Sequence, residues 1–304
     1  MNLEKKITNV LAGAAISSAI MLSASTSRAE DNGWAYIGDN VSPAARLGVL
    51  TANVVGNGLI CGIVGATEDR NFFQDAGKCM AGGTLQYLGM EMGVHDVPVL
   101  PGFGLRTTEI GTSIIDNTLN DRKPFEELYF GFGPALFTIN TEKGYANFFW
   151  RIMPIIGLTS DIAGGYKFDV QESFSRQTLV FDGGEDVSEK GTTATSGYTI
   201  GNVMIFDPNY PAIGAHEFTH TLQYVMARPT QNLVPEWLGF LETNLHLRIG
   251  EDLLTSSLAL PGTICEAATK DPLCSRRWWN VVEIPPYIMQ TGNEKNNLKI
   301  RFKK

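Results

Sequence analysis

The sequence predicts an α+β fold: Gly- and Ala-rich helices first, then a mostly antiparallel sheet, then a pair of helices. Three observations carry that expectation. Residues 44–64 and 82–93 are apolar runs with small residues at helical spacing. From about Leu128 the texture changes to aromatic and β-branched segments broken by Gly, Asn and Asp, the pattern of short strands. Over residues 199–226 a strand-like segment, a proline-containing connection and a helix-like run follow one another directly.

The first 29 residues stand apart from this fold. Lys5 and Lys6 form a short basic start and residues 7–22 are apolar and uncharged. Ser27-Arg28-Ala29 then offers a small-x-small cleavage site, the pattern of a secretory signal peptide. The expectation is a mature chain beginning near Glu30, periplasmic or secreted. Removing residues 1–29 takes away Lys5, Lys6, Arg28 and Glu4, which moves the formal charge from −8 to −10. A chain this acidic is not built to grip nucleic acid. Cysteine usage agrees with export: Cys61 and Cys79 are near neighbours, as are Cys265 and Cys274, and an oxidising compartment favours those two bridges among the three possible pairings.

Residues 30–125 read as a helical region, and residues 126–304 as an α+β region that can share one domain with it. In the helical region the glycines let two or three helices approach closely. The run 44–64 is long and nearly uncharged, which raises a peripheral membrane or envelope contact. Its Arg46, Asn53, Asn57 and glycines point instead to a buried helix pair. A further helix is expected over 107–119, ended by Asn120-Asp121.

Strands are expected over 128–138, 146–152, 165–170 and 177–181, then a turn at Asp182-Gly183-Gly184, a polar loop over 183–198 and one strand over 199–206. A helix starts near Pro211, with the proline in its first turn, runs to about Met226 and is stopped by Arg228-Pro229. Another is signalled by Val234-Pro235-Glu236 and carries apolar residues through Ile249.

The helix near Pro211 contains His216-Glu217-Phe218-Thr219-His220, which reads HExxH in a chain with only four histidines. Histidines four residues apart lie on one helix face, one turn apart, so both imidazoles can reach one zinc ion. The glutamate beside the first can then act as general base toward a water on that metal. The flanks are uncharged and Leu222 is apolar, as a helix burying its histidines against a sheet requires.

This pattern resembles the zincin metallopeptidases, gluzincin-like in type, over about residues 199–250. The resemblance implies zinc ligation by His216 and His220, a general-base role for Glu217, and a peptide or protein substrate laid as an extra strand along the sheet beside the helix. The metzincin extension is absent, because Gln223 and Met226 stand where it needs Gly and His. Gluzincins place a third ligand, a glutamate, on the following helix. Here Phe240 occupies that position, leaving Glu236 and Glu242 as nearby carboxylates. At 100° per residue Val234, Leu238, Leu241, Leu245 and Ile249 share a face, with Glu242 about 80° from Val234 and Glu236 about 200° away. Glu242 is therefore the preferred third ligand. Glu236 has a ready alternative role at a helix start, and His246, one turn past Glu242, is another candidate. The expected function is an exported zinc-dependent metallohydrolase, with a non-catalytic zincin-like scaffold as the alternative.

Overall fold

The computed structural model describes residues 43–95, 97–184, 197–207, 211–229 and 245–248. The fold is α+β, as expected, with a helical layer packed on two small sheets. Helix α1 (Pro43–Thr51) passes through a π-helical turn (Ala52–Gly56) directly into α2 (Asn57–Thr67). Helix α3 (Phe72–Gly93) begins at Asn71, whose side chain accepts from the amide of Gln74 and so satisfies one orphan donor of the first turn. The Cys61–Cys79 disulfide joins α2 to α3. Cys265 and Cys274 lie outside the described residues.

Helix α4 (Leu100–Leu119) starts seven residues earlier than its sequence pattern suggests. Pro101 supplies the favourable first-turn residue. Gly102 and Gly104 look like helix breakers in the sequence, but they are contact points. A Cβ on Gly104 would lie 2.5 Å from the carbonyl of Gly89, and one on Gly89 would lie 2.5 Å from the carbonyl of Gly104. The α3–α4 backbones therefore approach as closely as the glycine pattern implies.

The first sheet contains β1 (Glu127–Phe132), β2 (Ala135–Asn140) and β3 (Tyr145–Arg151), an antiparallel meander, with a short parallel β8 (Leu247–Arg248) beside β3. The expected strand over 128–138 is thus a hairpin turned at Gly133-Pro134, with Gly133 at φ +52°, a left-handed conformation that glycine adopts without strain. Strand β8 also corrects the expectation that helix continues through Ile249.

Two helices were not anticipated. Helix α5 (Ile152–Ala163) continues directly from β3, and α6 (Val170–Arg176) follows the two-residue strand β4 (Lys167–Phe168), in the interval between the strands expected over 165–170 and 177–181. The Asp169 side chain caps α6 by accepting from the amide of Glu172.

The second sheet has the order β4-β5-β7-β6, from β5 (Leu179–Asp182), β6 (Gly197–Ile200) and β7 (Val203–Phe206). Strands β5 and β7 are parallel, and β6 runs antiparallel to β7 at the edge. The single strand expected over 199–206 is therefore a hairpin, turned at Gly201-Asn202 with Gly201 at φ +65°.

Helix α7 (Pro211–Met226) matches its sequence reading and covers this sheet. Its Ala215, Phe218, Leu222 and Val225 bury against Met90, Val94 and Leu105 from the helical layer and Val180, Met204 and Phe206 from the sheet. One apolar core thus spans residues on both sides of position 125. Gly93 sets how near α3 comes to α7, since a Cβ there would lie 2.9 Å from Leu222 Cδ1.

Candidate metal centre

Helix α7 is two-faced. With Gly214, Phe218, Leu222 and Val225 turned to the core, His216 and His220 fall on the opposite side and Glu217 between the two faces. Thr219 is fully buried and spends its hydroxyl on the carbonyl of Ala215, so it adds no competing ligand.

The two histidines converge through their far ring nitrogens, with His220 Nε2 3.2 Å from His216 Nε2. Two nitrogens about 2.05 Å from one tetrahedral zinc stand about 3.3 Å apart. The same 3.2 Å is within reach of a hydrogen bond between the rings and matches the separation two ligands of a shared ion would need, and the donor type suits zinc. His220 Nδ1 lies 2.8 Å from Gln223 Oε1. With the proton on Nδ1 donated to that carbonyl oxygen, the lone pair of Nε2 is left facing His216, which is how an outer hydrogen bond fixes a ligating tautomer.

Glu217 is buried, and its Oε2 accepts from the hydroxyl of Thr199 at 2.8 Å. Thr199 Oγ1 also lies 2.9 Å from the carbonyl of Glu217. Edge strand β6 thus holds the glutamate beside the histidine pair. On the opposite face of β6 the hydroxyl of Tyr198 donates to Asp161, a fully buried carboxyl whose pKa burial pushes up from 3.8 to about 6. The two tethers fix the strand from both sides.

Of the residues singled out in sequence, the structure brings together His216, His220 and Glu217. Glu242 and Glu236 lie outside the described residues. His246 sits at the entrance to β8 with φ +50°, its exposed ring 5.9 Å from that of Phe149. Among the described residues no group of three or more His, Cys, Asp and Glu side chains is placed to hold a metal. Sequence reasoning gave no role to Thr199 or Gln223. Gln223 was findable, being three residues past His220 on the same helix face. Thr199 meets Glu217 only through the fold. Compared with known proteins, the chain matches no family model, no curated protein and no solved structure.

Proposed function

We propose that the protein is a zinc-dependent metallohydrolase acting on peptide bonds, with His216 and His220 as zinc ligands and Glu217 as general base. The observation that carries this reading is the convergence of the two Nε2 atoms at 3.2 Å, one residue from a buried glutamate. Zinc held there supplies a Lewis acid that polarises a carbonyl and makes water a nucleophile near neutral pH. Glu217 takes the proton of the attacking water and returns it to the leaving amine. Thr199 keeps one carboxylate oxygen of Glu217 engaged, which limits the rotation of that side chain. Strand β6, paired only with β7 among the described residues, has a backbone edge on which an extended substrate can pair as a further strand. Glu242 is the proposed third ligand, and export to the periplasm or beyond is proposed from the signal-like start.

The test is hydrolysis of fluorescein-labelled casein by the zinc-loaded protein. Glu217→Gln should lower the rate by about 10²–10⁴-fold, the usual worth of a general base, while zinc content stays unchanged. A single observation favours the non-catalytic alternative: Phe240 stands where gluzincins carry the ligand glutamate. Zinc bound with equal, background-level hydrolysis by the wild type and Glu217→Gln would select that alternative.

A further inference from the structure

We propose that the outer face of α1, α2 and α3 docks on a lipid bilayer, presenting Leu47, Val55, Leu59, Ile63, Met80 and Leu88 to its hydrocarbon. These six side chains are 38–60% exposed. Every exposed position within residues 47–67 and within 73–88 is uncharged, although 18% of the chain is charged. Within the 21-residue stretch Leu47–Thr67 the most apolar window has a mean hydropathy of 1.8, yet only 39% of that window is buried. A core helix of that composition would be enclosed.

Length and polarity both match a bilayer. At 1.5 Å per residue the stretch extends about 32 Å, close to the roughly 30 Å of a hydrocarbon layer. Charges bracket it, with Arg46 at one end and Glu68, Asp69 and Arg70 at the other. Its two asparagines bond within the helical layer. Asn53 Nδ2 donates to the carbonyl of Val49, and Asn57 Nδ2 donates to Gln86 Oε1 and to the carbonyl of Asn53. The outer face thus carries no asparagine needing water, which is the arrangement hydrocarbon demands. The Cys61–Cys79 bridge joins α2 to α3, and Met80 of α3 lies against Gly58 of α2, where an added Cβ would stand 2.5 Å from Met80 Cγ, so the two stripes are neighbours. A protein partner needs neither the length match nor the bracketing charges. Because the face is uncharged and the chain acidic, neutral headgroups should suffice and salt should matter little.

Hydroxyl-radical footprinting of the full chain, read by mass spectrometry, tests this with Met80 as probe and fully buried Met90 as internal control. With phosphatidylcholine vesicles, oxidation of Met80 should slow several-fold, equally at low and high salt, while Met90 stays protected throughout. The double variant Leu59→Glu, Ile63→Glu should return Met80 to its vesicle-free rate, and Leu88→Gln should return it in part. Equal Met80 oxidation with and without vesicles would overturn the proposal, as would full protection in both variants. Protection that appears without vesicles on raising protein concentration would assign the face to a second copy of the chain instead.

Discussion

At Gln223 one hydrogen bond, to Nδ1 of His220, sets which ring nitrogen would face a metal in the proposed centre. Such outer partners are worth about 10–100-fold in metal affinity. Gln223→Ala should therefore weaken zinc binding by about that factor in a chelator competition, with the fold unchanged by circular dichroism; unchanged affinity would remove Gln223 from the centre. Asp161 gives a second residue-scale expectation, set by its raised pKa of about 6 against 3.8. The folded state then holds the proton more tightly than the unfolded chain, so this stabilising contribution is complete below about pH 4 and is lost as pH rises to about 6. Urea midpoints should fall across that window in the wild type, and the fall should shrink in Asp161→Asn. At this scale the HExxH residues were legible because helical spacing alone joins them. Thr199 was not, because an 18-residue separation is closed only by the β6–α7 contact.

Among the elements, glycine placement separates contact from ornament. A Cβ on Gly89 would stand 2.1 Å from Thr108 Oγ1 and 2.5 Å from the Gly104 carbonyl, whereas one on Gly77, in the same helix, meets nothing within 4 Å. Gly89→Ala should cost about 1–3 kcal/mol through overpacking. Gly77→Ala should stabilise by about 0.5–1 kcal/mol, as alanine does in an open helix interior. Thermal melts of both variants check the pair, and loss in both or neither would refute the packing. Long apolar helices and the HExxH helix were readable because their periodicity runs for several turns. Helix α6 has only seven residues, and its one signal was the Asp169-x-x-Glu172 capping pattern. The β1–β2 and β6–β7 hairpins were read as single strands because their two-residue turns interrupt β-rich sequence too briefly.

At the scale of the described molecule a buried charge network ties the end of helix α7 to the rest of the fold. Glu109 is fully buried; one carboxylate oxygen accepts from the amide of Gly131 and the other from Arg106. Burial raises its pKa against the opposing pull of Arg106, Arg228 and Arg151. Arg228, two residues past the end of α7, stacks its guanidinium 4.9 Å over the ring of Tyr129, whose hydroxyl donates to Asp116. Glu109→Ala would leave buried guanidinium charge uncompensated and should cost about 3–5 kcal/mol in chemical denaturation; a loss under 1 kcal/mol would contradict a shared electrostatic centre. The sequence marked Arg228 only as a helix stop beside Pro229. Its burial depends on α4, β1 and α7 meeting, which no local pattern announces. The α+β class itself was readable, since composition changes from Gly-rich helix to aromatic strand within a few residues of position 125.

Zinc stoichiometry of the reconstituted full-length protein and of His216→Ala and His220→Ala, read by mass spectrometry under native conditions, tests the proposed metal centre most directly. The expected result is about one zinc per wild-type chain and none retained by either variant. Absence of zinc from the wild type after reconstitution, or a full equivalent in both variants, would contradict a metal held between the two imidazoles.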